Sequence, residues 1–390
     1  MTSDGRRQGW SDLPDDLLDE VYRRCVLSLF DRARFASVCE SWRAVATQRH
    51  PAIRALPLLL PSTGNGKRDR TVGAYRLEDG RVVRASFQGF PWGKRIVGSH
   101  DGGWIAAATG AQLFIVNLFS GARVELSAKQ RIIRCKCLTK RPRSRHATGQ
   151  ISITKIVFSK EPCSTGCIIA GITTGCKIAL CRVDCPNGGW TTSGCETNTE
   201  LMDITFCNGK LYALTSKELL EFRMNENGAL VVNLVDRIRR GMSVLGIWKL
   251  LEKYIFELHG KLAMAVGFSP MIYSRGAQFF RVFELTPAMR EVTSLGDHAL
   301  FLGPGCCKAV HVPVTGGQGM VERNCIYYLK QHICPKDDVE CLKRLDLGSY
   351  NIYYGKSKGV DHSEKIRSWV YHHPHEDGNN GCIWVLPPDF

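Results

Sequence analysis

The sequence has no run of about 20 mostly apolar residues, the length a membrane-spanning helix needs. Its longest stretch without a charged residue, Gly102 to Ala122, is interrupted by Thr109, Gly110, Gln112, Asn117, Ser120 and Gly121. That stretch reads as strands and turns, and no membrane partner is expected. The opening residues MTSDGRRQG contain no apolar core, so no secretory leader is expected. No Asn-x-Ser/Thr sequon occurs. The local signatures of common enzymes are missing too: there is no Gly-x-Ser-x-Gly, no Gly-x-x-x-x-Gly-Lys-Ser/Thr, no His-Glu-x-x-His and no Gly-x-Gly-x-x-Gly. Gly303-Pro-Gly305 and Gly316-Gly-Gln-Gly319 are loop glycines without the strand and helix a nucleotide site requires. Many enzymes lack local motifs, so this absence weighs little by itself. Acidic residues are absent between Glu125 and Glu161, whereas Lys129, Arg131, Arg134, Lys136, Lys140, Arg141, Arg143, Arg145, Lys155 and Lys160 fall in that gap. Ten of the fifteen excess positive charges therefore lie in one segment.

The 17 cysteines are many and odd in number. Without an export signal they read as reduced thiols, and the cytosol, the nucleus or both are the expected compartments. Most stand beside strand-type residues, as in CIIAGI, ITFC and NCIYY, which marks them as small buried hydrophobes. Two clusters could suggest metal sites. His372, His373, His375 and Cys382 lack the paired spacing of structural zinc sites, and Glu376-Asp377-Gly378 beside them reads as a solvated loop. Cys163, Cys167, Cys176, Cys181 and Cys185 form no compact pair-plus-pair pattern and read as free thiols. No metal and no cofactor is expected.

The segment from Trp10 to His50 stands apart from the rest. Ser11 and Asp12 offer oxygens to the unpaired amides of a helix start, Pro14 suits the first helical position, and Asp15 and Asp16 complement the helix dipole. Leu17, Leu18, Val21, Tyr22 and Cys25 then form one helical stripe. Asp31 marks a second start, with Phe30 and Phe35 at the positions of a hydrophobic staple. In a third helix, Val38, Cys39, Trp42, Val45 and Ala46 share one face. Some 40 residues bury too little surface for much independent stability. An apolar face is therefore expected to remain, for a partner chain or for the domain behind it.

Leu13-Pro14, the spaced apolar positions and Val38-Cys39-Glu40-Ser41-Trp42-Arg43 resemble the F-box over Trp10 to about His50. The resemblance implies docking on the SKP-type adaptor of a cullin–RING (SCF-type) ubiquitin ligase and, through that adaptor, association with the cullin and RING subunits. Carried over by motif position, the adaptor contacts are Leu13, Pro14, Leu17, Leu18, Val38, Cys39 and Trp42. Some of these must serve the core of the small domain instead, and the sequence does not divide them.

Beyond Pro51-Ala-Ile-Arg-Ala-Leu-Pro-Leu-Leu-Leu-Pro61, whose three prolines discourage a continuous helix, the hydrophobic period changes from helical to alternating. Residues 51–62 read as a linker leading into a buried strand, and residues 63–390 as one all-β domain. Trp104–Ala108, Leu113–Asn117, Arg123–Leu126, Ile168–Ile172, Lys177–Val183, Leu219–Met224, Leu230–Leu234, Phe279–Leu285, Glu291–Leu295, Cys325–Leu329 and Ile352–Tyr354 are expected strands. Val244–Leu258 is ambiguous between helix and strand, with a strand expected over its last residues, Tyr254–Leu258, paired through His259-Gly260 to Lys261–Val266. The clearest hairpin joins Ile204–Cys207 to Lys210–Leu214 through Asn208-Gly209, the favoured two-residue turn. Strand units recur at about blade-sized intervals, which predicts a β-propeller of about seven blades, with a large sandwich as the alternative. Leu58–Leu60 and Ile383–Val385 are candidates to close the ring.

A second resemblance covers nearly all of residues 51–390. Pro57-Leu-Leu-Leu-Pro61, Val116-Asn-Leu-Phe-Ser-Gly121, Leu295-Gly-Asp-His-Ala-Leu-Phe-Leu-Gly303, Asn324-Cys-Ile-Tyr-Tyr328 and Ile383-Trp-Val-Leu-Pro387 look like landmarks of the plant KIB-type β-propeller, a domain that often follows an F-box. It favours the propeller over the sandwich. Together the two resemblances imply a non-catalytic substrate-recognition subunit of an SCF-type ligase, whose propeller binds a protein target. The rival readings are a ligase-independent propeller that acts as a scaffold or nucleic-acid binder, and an enzyme or small-ligand propeller using its central channel. Lys140, Arg141, Arg143 and Arg145 read as a solvated loop, a nuclear-import signal or a contact for an acidic partner. Tryptophan and phenylalanine are not interleaved among them, so stacking on single-stranded nucleic acid is not expected.

Overall fold

The structure is a computed structural model. It describes residues 9–25, 29–36, 38–49, 56–61, 71–77, 81–134, 151–174, 177–185, 188–192, 201–224, 230–238, 248–270, 279–285, 289–312, 321–329, 347–351, 356–358 and 382–387. The chain divides into two compact units, one holding residues 1–56 with 387–390 and the other Pro57–Leu386.

The first unit is helical. A 3-10 turn, Trp10–Asp12, leads into α1 (Asp15–Cys25), α2 (Leu29–Ala36) and α3 (Glu40–Ala44), which continues as a π-type turn over Val45–Arg49. The carbonyl of Pro14 accepts from the N–H of Leu18 at 3.1 Å, so Pro14 sits at the cap position just outside α1. Asp12 turns backward and accepts from the N–H of Gly9 at 2.9 Å rather than capping α1. Asp31 is the third residue of α2, not its cap. Cys39 is the extended N-cap of α3, so Val38 and Cys39 precede that helix. The core is Leu18, Tyr22, Phe35, Ala36, Val45 and Ala46, with Leu13, Val21 and Trp42 packed at its margin. Buried Arg32 donates to the carbonyl of Ala46 at 2.8 Å and ties α2 to the final turn.

The second unit is a ring of six sheets among the described residues. Blade one is ordered β24 (Cys382–Val385), β1 (Leu58–Pro61), β2 (Val72–Arg76), β3 (Arg81–Ala85). Blade two is β4 (Arg95–His100), β5 (Trp104–Thr109) and β6 (Gln112–Asn117). Blade three runs β7 (Ile153–Phe158), β8 (Ile168–Thr173), β9 (Lys177–Arg182), β10 (Thr191–Thr192). Blade four is β11 (Leu201–Cys207), β12 (Lys210–Thr215), β13 (Glu218–Met224), β14 (Leu230–Arg237). Blade five is β15 (Trp248–Leu258), β16 (Lys261–Pro270), β17 (Phe279–Glu284), β18 (Arg290–Val292). Blade six departs from the simple meander. Its order is β20 (Cys307–His311), β19 (His298–Leu302), β21 (Cys325–Leu329), β22 (Leu347–Asn351), β23 (Lys356–Lys358), with β19 and β21 parallel. Strands β4, β7, β11, β15, β20 and β24 lie next to one another around the axis.

Six blades correct the expectation of about seven. Residues 57–386 give about 55 residues per sheet, more than the 40–50 of a common blade. Segments 135–150, 330–346 and 359–381 add length without adding a described strand. Arg123–Leu126 is not a fourth strand of blade two; Arg123 makes one bridge, to Val116. The stretch Val244–Leu258 resolves as strand from Trp248 onward, and Ile352–Tyr354 lies outside the described residues.

The ring closes where the apolar trios suggest. Leu58, Leu59 and Leu60 pair with Val385, Trp384 and Ile383 in antiparallel register. The C-terminal strand is thus the innermost strand of the blade that the N-terminal strand begins. The core consists of layers between neighbouring sheets. Ala170, Ile178 and Leu180 of blade three meet Ile204, Leu211, Ala213 and Phe222 of blade four. Leu214 and Leu219 of blade four meet Ile255, Leu262 and Met264 of blade five. The β11–β12 turn has both central residues in the left-handed region, Asn208 at φ 49° and Gly209 at φ 72°, as that turn requires. Asn117 shapes the turn after β6: its Oδ1 accepts from the N–H groups of Phe119 and Ser120, each at 3.0 Å.

Four axial strands carry the same irregularity. A register shift falls between Ile96 and Gly98, Ile153 and Lys155, Leu201 and Asp203, and Leu250 and Glu252. A bulge re-aims the residue that follows it. Gly98, Lys155, Asp203 and Glu252 therefore occupy equivalent places on successive blades. At Gly98 there is no room for a side chain: a Cβ would lie 2.1 Å from the carbonyl oxygen of Ile156. Because the obstacle is backbone, Gly98→Ala must push blade two from blade three. It is expected to cost about 1–3 kcal/mol, read as a lower midpoint in urea unfolding.

Candidate functional site

Two surfaces carry the chemistry. The first is the outside of the helical unit. Leu17 is 55% exposed and Val38 52%, and Pro14, three residues before Leu17, is exposed too. Leu18, their neighbour on the α1 stripe, is fully buried. Leu13, Cys39 and Trp42 are half-buried. The Trp42 ring packs on Phe35 at 4.4 Å between centroids, and its Nε1 donates to the carbonyl of Trp10 at 3.0 Å. Trp10 itself is 73% exposed, a large apolar residue that motif reasoning passed over. The side chain of Leu18 thus belongs to the core, and those of Pro14, Leu17 and Val38 face outward. A hydrogen bond from Ser41 and the backbone of α3 holds the Cys39 thiol below its ordinary pKa.

The second surface is the axial channel. A cavity of about 380 Å³ is lined by the ends of β4, β7, β11, β15 and β20, with Lys155, Glu257, His259, His298, Cys307 and Lys308 among its walls. Below its mouth, Lys155 of blade three and Asp203 of blade four form a buried ion pair. Asp203 is saturated: Oδ1 also accepts from its neighbour Ile204 N–H at 2.8 Å, and Oδ2 accepts from Ile255 N–H of blade five at 2.9 Å. The Cys307 thiol of blade six donates to the same oxygen across 3.7 Å. Burial alone would push the Lys155 ammonium down, but the charge of Asp203 overcomes this and holds it above the ordinary lysine value. Burial pushes the Cys307 thiol up. These charges are spent on one another and on backbone, so the cluster clamps four blades together. At the rim, Lys308 pairs with exposed Asp101. Burial holds His100 and His298 below the ordinary imidazole value.

Sequence reasoning did not find the channel cluster. The one available signal was a charged residue inside an apolar strand, Lys155 in ITKIV and Asp203 in MDITF. The residues it did single out fare unevenly. Lys140, Arg141, Arg143 and Arg145 lie outside the described residues, as do His372, His373 and His375. Lys129 and Arg131 belong to a short helix, α4 (Ala128–Arg131), whose buried Gln130 donates to the carbonyls of Arg182 and Cys185 at 2.8 and 3.0 Å. Among the described residues Cys163, Cys167, Cys181 and Cys185 are free thiols, Cys167 and Cys181 buried and the other two exposed. No helix among the described residues is long and apolar enough to cross a membrane.

A three-helix unit with outward apolar residues, followed by a closed ring of blades, defines an F-box protein with a propeller. The F-box domain matches residues 10–53. The KIB1-4 beta-propeller matches residues 74–353, and the chain belongs to that family. The probable F-box protein At4g22165 of Arabidopsis thaliana is 25% identical over 334 residues, covering 82% of this chain and 84% of its own. The Arabidopsis F-box protein SKIP23 is 39% identical over 75 residues, 19% of this chain and 18% of its own. Among solved structures, the N-terminal domain of Nup159 aligns over 73% of this chain and 70% of that one, at 10% identity and a TM-score of 0.31.

Proposed function

We propose that the chain is the substrate-recognition subunit of an SCF-type ubiquitin ligase, with the F-box docked on a SKP-type adaptor and the propeller holding a protein target. The observation that carries this reading is that the helical unit closes its own core around Leu18, Tyr22 and Phe35 yet leaves Leu17 and Val38 outside. Apolar side chains left out of a satisfied core favour a partner. Pro14, Leu17 and Val38 are the direct adaptor contacts in this proposal, Trp10 joins them, and Leu13, Cys39 and Trp42 contribute their half-exposed edges. Leu18 acts through the packing beneath. The chain would supply no bond-making step. It would raise the local concentration of target lysines near the ubiquitin-loaded enzyme, in the cytosol or nucleus.

Adaptor binding by the full chain tests this. Leu17→Ala with Val38→Ala should weaken binding by roughly 30-fold or more, the scale of a lost hot spot, without changing the helical circular dichroism. Leu18→Ala should instead cost the helical unit about 2–5 kcal/mol, visible as a lowered melting transition. A folded parent chain that does not bind the adaptor would overturn the proposal.

A further inference from the structure

Three histidines and one aspartate converge at the mouth of the axial channel, on elements from two blades. His259 stands in the β15–β16 turn at φ 50°, a left-handed conformation that aims its ring across to blade six. Asp297 precedes β19, His298 opens it, and His311 ends β20 directly opposite His298 in register. His259 Nε2 lies 3.1 Å from His298 Nδ1. That same Nδ1 lies 2.7 Å from Asp297 Oδ1, and His311 Nε2 lies 3.0 Å from Asp297 Oδ2. Donor atoms of His259, Asp297 and His298 all fall within 4.8 Å of one another.

Hydrogen bonding among these groups leaves one nitrogen shared between two partners. An imidazole nitrogen carries either one proton or one lone pair. His298 Nδ1 nevertheless faces two partners, a carboxylate oxygen and a ring nitrogen. A proton on Nδ1 serves the carboxylate, and His259 Nε2, on an exposed ring, then has only a share of that proton or a water. A cation at the centre satisfies all three donors at once. Ligands held at 2.0–2.1 Å in a tetrahedral shell stand about 3.3 Å apart; the His259–His298 pair at 3.1 Å fits as it stands, and the His298–Asp297 pair at 2.7 Å must open slightly to admit the ion.

We infer that His259, His298 and Asp297 form a binding site for a divalent transition-metal ion of the zinc class, with His311 orienting the carboxylate through its second oxygen. Nitrogen and carboxylate donors suit zinc, cobalt and nickel better than calcium or magnesium. The ion would join blade five to blade six at the channel mouth. Because His259 and His298 also line the cavity, its fourth position faces the channel and takes water or a donor from a bound partner.

Cobalt(II) titrated into the reduced full-length chain tests the assignment. One equivalent should bind with tetrahedral d–d absorption and no thiolate-to-cobalt charge-transfer band. His259→Ala and His298→Ala should each weaken binding at least about tenfold, while a variant lacking His372, His373 and His375 binds like the parent. Exposed His259 can be replaced without disturbing the core, and equal melting temperatures with chelator present confirm that its variant is folded. Zinc should then raise the melting temperature of the parent and not of His259→Ala. Absence of binding, a thiolate charge-transfer band, or full binding by the folded histidine variants would overturn the inference.

Discussion

Replacing Asp203 by alanine is expected to destabilise the propeller by about 3–5 kcal/mol, the cost of breaking a buried ion pair from one side. The loss has two parts. Lys155, 5% exposed, is left as an unpaired charge. The N–H groups of Ile204 and Ile255, which Asp203 bonds at 2.8 and 2.9 Å, lose their side-chain acceptor, at about 1–3 kcal/mol for each that stays unsatisfied. The mirror change, Lys155→Met, should cost less, because Asp203 keeps both N–H donors and the Cys307 thiol. The double variant Lys155→Met, Asp203→Leu should recover part of the loss, since apolar replacements remove the desolvation cost of both charges. Urea unfolding followed by tryptophan fluorescence gives the ordering. Equal costs for the two single changes would show that the backbone bonds to Asp203 do not matter. The sign with pH follows from Lys155: its folded pKa lies above its unfolded value, so its contribution is complete below the ordinary lysine range and is lost only as pH rises through the higher folded value. The difference between parent and Lys155→Met should therefore hold through neutral pH and shrink only in strong alkali.

The second large effect is at the closure. Trp384 is fully buried, its ring meets Phe301 edge-on at 5.3 Å, and its Nε1 donates to the carbonyl of Leu302 at 3.1 Å. Its own carbonyl accepts from Ser99 Oγ of blade two at 2.7 Å. Trp384→Ala removes the largest fully buried side chain and is expected to cost about 3–5 kcal/mol. The same change also weakens the strand that holds β1. Increased dimer or aggregate on gel filtration should accompany the lower melting temperature, because an unpaired β1 edge recruits other strands. A variant that loses stability but stays wholly monomeric would separate core packing from ring closure. Trp384→Phe keeps most of the volume and loses the hydrogen bond, so it should fall between parent and alanine.

Closure was legible because Leu58–Leu60 and Ile383–Val385 are apolar trios that fit only a strand buried on both faces. The β11–β12 hairpin was legible because Asn208-Gly209 is a turn with few alternatives. The axial strands β4 and β7 were not. Their bulges break the alternation, and Gly98 and Lys155 in mid-strand read as interruptions. Asp203 lies 48 residues from Lys155, so only the ring brings them together. Leu17 and Leu18 share one helical stripe, and periodicity alone could not say which points in. The blade count came out high because the whole length was divided by a common blade size, and the six described sheets take about 55 residues each. The histidines at the channel mouth come from separate turns, and no spacing rule links His259 to His298.

The closing strand also orders events during synthesis. Residues 9–49 leave the ribosome before the propeller, and their core cluster is drawn from residues 13–46. β1 follows, yet its partner β24 begins only at Cys382. At about 5–20 residues per second the interval is on the order of tens of seconds. Throughout it the bare edge of Leu58–Leu60 is available to any other nascent or unfolded chain. The helical segment is thus already made while the ring is still open, and a chaperone that shields strand edges has its longest work here.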